Sequence, residues 1–223
     1  MLQDTAANYP DNPALIFEGR PVPYRKLDGY VEALAGHLLE IGLGRGDKVA
    51  IVLGNCPEFV ISYFAALRIG AVAVTLNVMS TSYELQHLLE DSEAKILITA
   101  EGLAKRFEAV APALPLCRHL ITTAGLKDGS PFYEILQIGK KMADSPPLTE
   151  DDPAVMIYTA GLTGKPLGAV LTYRNLATQA WLLRDIFDGT AKDRSLAVIP
   201  LFHSFGASVN MLCPLALGGA VVL

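Results

Sequence analysis

One order recurs along this chain and restricts its fold more than any single motif: a short β-branched run, then a longer stretch with apolar residues at helical spacing. "KVAIVL" (Lys48 to Leu53) precedes "PEFVISYFAALRI", "AVAVTL" precedes a segment carrying Leu85, Leu88 and Leu89, and "KILIT" (Lys95 to Thr99) precedes a further helical stretch. When a helix must intervene before the next strand can pair, the strands run parallel and the helices cover the sheet faces. The expected fold is α/β, a layered α/β/α arrangement around a largely parallel sheet.

Local signals place the element ends. "YRKLDGYVEALAGHLLEIG" puts Leu27, Val31, Leu34 and Leu38 on one helical face and stops at Gly42. Asn55, ahead of Pro57 and Glu58, reads as a helix start with a side-chain cap, an early proline and an acidic first turn. Thr81 and Glu84 have capping-box spacing. The polar, proline-rich stretch at about 124–152 reads as a surface connection holding one short helix. Beyond it, "PAVMIYT" (Pro153 to Thr159) and "GAVLT" are strands, and "RNLATQAWLLRDIF" is a helix with Leu176, Leu182, Leu183 and Ile186 inward. Trp181 and Met211 are expected in the core.

The segment from Leu196 to Leu223 contains no Asp, Glu, Lys or Arg and is long enough to cross a bilayer. Pro200, His203, Asn210, Pro214 and several glycines interrupt it, and such turns leave backbone groups that lipid cannot satisfy. It therefore reads as strand, loop, helix and strand buried in protein, with no transmembrane segment. The closing "GGAVVL" resembles a buried strand left with an open edge, a route to oligomerisation. With a mean hydropathy of +0.34, this edge points to part of a larger protein.

Lys and Arg number 18 against 23 Asp and Glu, a formal charge of −5. No basic stripe follows a helix face, so nucleic acid is not an expected partner. Cys56, Cys117 and Cys213 are odd in number and lack CxxC pairing, against a disulfide framework or zinc site and in favour of a reducing cytoplasm. The N-terminus does not read as a secretory signal. His37, His87 and His119 have no ligand-spaced partners, and no metal site is assigned to protein side chains.

The stretch "YTAGLTGKPLGAVLTYRNL" is a candidate phosphate loop. Phosphate is held by backbone N–H groups that glycine lets approach, by hydroxyls, and by a nearby lysine or helix N-terminus. Thr159, Gly161, Thr163, Gly164, Lys165 and Gly168 supply those parts, with Ala160 and Leu162 between them. A Walker loop needs GxxxxGK[ST], whereas Gly161 and Gly164 stand three apart and Lys165 precedes proline. On local composition alone a plain hairpin turn between "VMIYT" and "GAVLT" is the favoured reading.

This stretch is similar to the signature of the AMP-forming acyl-CoA synthetases, the adenylate-forming enzymes, whose loop reads roughly [ST][ST]G[ST][ST]GxPKG before a Leu-Thr-His-x-Asn-Leu helix start. "VPYRKLDGYVEALAGHLLEIGLGRGDKVAIVLGNCPEFVISYFAALRIGAVAVTLN", "TSYELQHLLEDSEAKILIT" and "VIPLFHSFGASVNMLCPLALGGAVVL" resemble three further segments in family order. The resemblance implies the N-terminal part of the synthetase large domain across residues 1–223, without the C-terminal domain that carries the catalytic lysine. It also implies an acyl-adenylate route from a carboxylic or fatty acid, using ATP with Mg2+ and then coenzyme A. The 159–168 loop would cradle the phosphates. His203 would lie by the substrate carboxylate, with Phe202, Phe205 and Gly206 shaping an apolar pocket.

Ala160 and Leu162 stand where the family loop has hydroxyls, Leu167 where it has lysine, and Tyr173 where it has histidine. The glycine and proline frame is kept while the ligand set thins, which implies weaker or altered nucleotide binding. The fragment alone is expected to be inactive, in a cytoplasmic or membrane-peripheral setting. Two alternatives remain: an amino-acid or aryl-acid adenylating domain, and a non-catalytic nucleotide- or acyl-binding module.

Overall fold

The computed structural model describes residues 1–126, 129–139, 142, 146–159 and 166–223. The chain opens with α1 (Leu2–Asn8), the hairpin β1 (Pro13–Phe17) and β2 (Arg20–Pro23), then α2 (Tyr24–Glu40), β3 (Lys48–Val52), α3 (Pro57–Arg68) and β4 (Val72–Thr75). It continues through α4 (Ser82–Asp91), β5 (Ala94–Ala100), α5 (Glu101–Glu108), β6 (His119–Thr123) and α6 (Pro131–Ile138). Last come β7 (Pro153–Thr159), β8 (Leu167–Thr172), α7 (Tyr173–Phe187), β9 (Arg194–Leu196), a π-helical segment Gly206–Leu212, α8 (Cys213–Leu217) and β10 (Ala220–Val222).

Six strands form one sheet in the order β6-β5-β3-β4-β7-β8. All neighbours are parallel except β7 and β8, which form an antiparallel pair. Because side chains alternate across a strand, each strand feeds two cores. Val49, Ile51, Ala73, Ile96 and Ile98 pack with residues of α2 and α3, whereas Ala50, Val52, Val74 and Leu97 pack with α4 and α5. That double burial makes the strands read as continuous apolar runs, and it produces the expected α/β/α layers.

The α2 stripe is buried as its spacing requires, with Leu27, Val31, Leu34 and Leu38 all at 0% exposure. Thr81 and Glu84 close a reciprocal capping box on α4. On α7 the buried residues are Leu176, Ala180 and Leu183, one stripe at helical spacing. Leu182 and Ile186, expected inward, are 54% and 63% exposed, and Trp181, expected in the core, is 43% exposed. Met211 is buried.

A second sheet has the order β2-β1-β10-β9. β10 pairs in parallel with both β1 and β9, so the closing strand is an interior strand and not the open edge that the sequence pattern suggests. The sheet ends instead at β2 and β9. Tyr24 ties α2 to this region, its hydroxyl donating to the Gly219 carbonyl at 2.6 Å. Among the described residues no helix is long and apolar enough to cross a membrane.

Candidate functional site

β3, β4 and β7 are adjacent and parallel, so their carboxyl ends open on one edge of the sheet. Open α/β sheets bind ligands outside that edge, because the loops leaving it are free to diverge. Thr159, the described start of the loop motif, and the His203 segment both arrive there.

β7 ends at Thr159, which sits opposite Leu167 at the start of β8. The Thr159 hydroxyl donates to the Leu167 carbonyl at 3.4 Å. Ala160, Gly161, Leu162, Thr163, Gly164 and Lys165 lie outside the described residues, so Thr159 and Gly168 are the described ends of the loop. At Gly168 a β-carbon would come within 3.0 Å of Met156 Sδ, so the methionine side chain would have to give way slightly. Leu167 is 62% exposed. Tyr158 anchors β7 to α4, its hydroxyl donating to the Asp91 carboxylate at 2.7 Å. Burial, and then the neighbouring Asp91 charge, push that phenol above its ordinary range.

The segment carrying His203 crosses the ends of β3 and β4. The Thr75 hydroxyl, at the end of β4, donates to the Phe202 carbonyl at 3.0 Å. Thr75 also pairs with Ile157, two residues before Thr159. This bond therefore brings the His203 segment to the strand beside the mouth of the β7–β8 hairpin. The His203 imidazole is exposed and lies against the Phe202 ring, with centroids 4.6 Å apart. Phe202 is partly buried, Phe205 is 55% exposed, and Gly206 is buried.

Asn55 follows β3 and does not cap α3, contrary to its sequence context. The N-cap is Cys56, without a side-chain cap bond. The Asn55 amide group instead donates to the Ala197 carbonyl at 2.7 Å and the Ile199 carbonyl at 3.1 Å, while its oxygen accepts the Leu201 N–H at 2.9 Å. Sequence reasoning missed this role, since an Asn before Pro-Glu signals a local cap and carries no mark of a partner about 140 residues away. Asn210 pins the π-helical segment to β9 through Ser195 Oγ at 3.2 Å and the Leu196 carbonyl at 3.3 Å. Helical segments of this wide type recur at functional sites.

Among the described residues no group of three His, Cys, Asp or Glu side chains could hold a metal ion. Cys56, Cys117 and Cys213 are free. Burial pushes the Cys117 thiol up to about 12 and raises Cys213, while burial and Glu58 raise Cys56. None is poised as a thiolate nucleophile.

A family model described as AMP-binding enzyme matches residues 2–223. The chain belongs to the AMP-binding enzyme family. The long-chain-fatty-acid–CoA ligase of Bacillus subtilis (strain 168) is 31% identical, the match covering 100% of this chain and 45% of that protein. The oxalate–CoA ligase of Arabidopsis thaliana is 33% identical, covering 100% and 44%. The crystal structure of the anthranilate CoA ligase AuaEII in complex with anthranoyl-AMP shares the fold, with a TM-score of 0.93 at 23% identity, over 100% of this chain and 43% of that one. The N-terminal domain of FACL13 from Mycobacterium tuberculosis gives 0.87 at 25% identity, over 100% and 56%. This AMP-binding chain thus spans less than half the length of these two curated relatives.

Within this AMP-binding fold, Tyr173 has a structural task. Its hydroxyl donates at 2.6 Å to the Leu67 carbonyl in the last turn of α3, which also accepts the Gly70 N–H at 3.1 Å. Burial, with a smaller contribution from Asp152, raises the phenol above its ordinary range.

Proposed function

We propose that this chain forms the N-terminal portion of an AMP-forming acid–thiol ligase. In the complete enzyme a carboxylate oxygen attacks the α-phosphate of ATP and pyrophosphate leaves, giving an acyl-adenylate. The thiol of coenzyme A then attacks the acyl carbon and AMP leaves. Such phosphoryl chemistry depends on positioning and charge neutralisation more than on a protein nucleophile.

Thr159, Gly161, Thr163, Gly164, Lys165 and Gly168 would hold the phosphates, with Ala160 and Leu162 shaping the loop. His203 would border the reacting carboxylate, with Phe202, Phe205 and Gly206 toward the acyl group. The observation supporting this reading is the Thr75–Phe202 bond, which gathers the His203 segment onto the strand next to the β7–β8 hairpin. Magnesium would arrive with the nucleotide, and no side chain described in this structure is assigned to it. The acyl substrate is a fatty or other carboxylic acid, and the working compartment is the cytoplasm.

The reading is tested by titrating the 223-residue chain with ATP and with anthranoyl-AMP, followed by NMR. Saturable shifts at Thr159 and Gly168 for ATP, and at His203 for the adenylate, are expected. Carboxylate-dependent pyrophosphate exchange is expected to stay at the blank for this chain alone. Absence of saturable binding of both ligands would sink the proposal. The exposed Leu167 favours a second reading, a binding module without chemistry. Tight ATP binding with no exchange by the polypeptide extended to the length of its relatives would select it.

A further inference from the structure

We infer that Asn55 is the positioning residue of the His203 segment, holding it at the carboxyl end of β3 so that the imidazole stands where the proposed carboxylate chemistry needs it. This deepens the function proposed above and rests on it for the ligand, though not for the geometry.

Three features on separate elements converge on Ala197–Phe205. The Asn55 side chain donates to two carbonyls of the segment, at Ala197 and Ile199, and accepts the N–H of Leu201. Thr75 takes a further carbonyl of the segment, that of Phe202, at 3.0 Å. At the far end, Gly206 lies so close to the Pro200 and Ile199 carbonyls that no side chain fits. Backbone pairing is sparse between Leu196 and Gly206, where the Ala197 N–H donates to the Val222 carbonyl at 2.9 Å and the His203 N–H to the Pro200 carbonyl at 3.1 Å, and irregular backbone needs partners from elsewhere. Asn55 supplies them on alternate residues, 197, 199 and 201, the spacing at which an extended chain presents groups to one side.

The amide is suited to this and a carboxylate is not. Two carbonyls need donors and one N–H needs an acceptor, a combination that Asn and Gln offer and Asp does not. A glutamine would set the same group one methylene further out. Asn55 touches no reacting atom in this account and acts through the backbone that carries His203.

The test uses the chain with Asn55→Leu and Asn55→Asp, comparing amide hydrogen exchange at Leu201, the His203 ring resonances and anthranoyl-AMP affinity. Exchange at Val221, inside β10, reports global stability. Asn55→Leu is expected to speed Leu201 exchange by about tenfold or more and to shift the His203 signals, leaving Val221 protected. Asn55→Asp is expected to keep Leu201 protected, since its oxygen still accepts, while shifting His203 because the two carbonyls lose their donors. Adenylate affinity should fall about tenfold in Asn55→Leu with ATP affinity unchanged.

Unchanged His203 signals in both variants, or an equal loss of protection at Val221, would overturn the assignment. So would an adenylate affinity that stays constant while Leu201 is freed. If the parent chain binds neither ligand, the nucleotide reading fails. The exchange and ring signals then still decide whether Asn55 positions His203.

Discussion

Gly206 has no room for a β-carbon because the carbonyl oxygen of Pro200 occupies its place. The two residues bracket His203 and fold the segment back so that the His203 carbonyl accepts the Ala207 N–H at 2.9 Å. Gly206→Ala forces the backbone of Pro200 away, and overpacking of this kind costs on the order of 1–3 kcal/mol. Urea unfolding should show that loss, and the His203 ring signals should move with it. Parental stability in the alanine variant would show that the approach is looser than the structure has it.

Tyr173→Phe keeps the ring and removes one hydrogen bond. The Leu67 carbonyl then loses its 2.6 Å donor in a partly buried setting, a change worth about 1 kcal/mol. The expected result is a lower urea midpoint with an unchanged slope, since the surface exposed on unfolding stays the same. ATP affinity should not change, because the hydroxyl points to α3. A fall in ATP affinity without a fall in stability would reassign Tyr173 to the nucleotide.

How far the sequence reaches is clear from two helices and one asparagine. In α2 the apolar residues occupy one stripe, so spacing alone identifies the buried face. In α7 apolar residues point several ways, and Leu176, Ala180 and Leu183 win burial because the π-helical segment and α8 pack on that side. Leu182 and Ile186 lose it for the same reason, which periodicity cannot encode. The loop motif and the His203 segment stood out through the family resemblance, since on local composition a plain hairpin turn competes with a phosphate loop. That β7 runs beside the strand holding the His203 segment was not legible, because it depends on strand order, with β7 inserted beside β4 after two crossovers to the other side of β3. Asn55 was misread for that reason: its partners exist only once the second sheet is folded.

Acid should weaken the tie between the α2–β3 connection and the start of β7, made by Arg45 and Asp152. Asp152 accepts the Thr149 N–H at 2.9 Å and the Arg45 guanidinium at 2.7 Å, and these two partners, the backbone donor first, hold its pKa below the usual carboxylate value. Asp151 is held low by Arg174 in the same way. A carboxyl whose folded pKa is depressed adds stability above its unfolded pKa and loses it as pH falls through the folded one. The melting temperature should therefore drop as pH falls from about 4 downward, and Asp152→Asn should flatten that drop while lowering stability at neutral pH. Parallel profiles for parent and variant would exclude Asp152 as a contributor.

Leu167 offers the most direct probe of the phosphate loop. It opens β8 opposite Thr159, and its side chain is exposed, so Leu167→Lys removes no core contact and needs no repacking. The new ammonium would stand at the mouth of the hairpin, where Lys165 is the other nearby cation in sequence. An exposed charge in high dielectric gains little, about 0.5–1 kcal/mol, or roughly two- to fivefold in affinity. The gain should appear in ATP binding and be absent for adenosine, which has no phosphate to attract. It should also shrink as salt rises from about 0.05 to 0.5 M, because ions screen exposed charges over ever shorter distances. Equal ATP affinity for parent and variant at low salt would mean that the loop does not hold phosphate at this end.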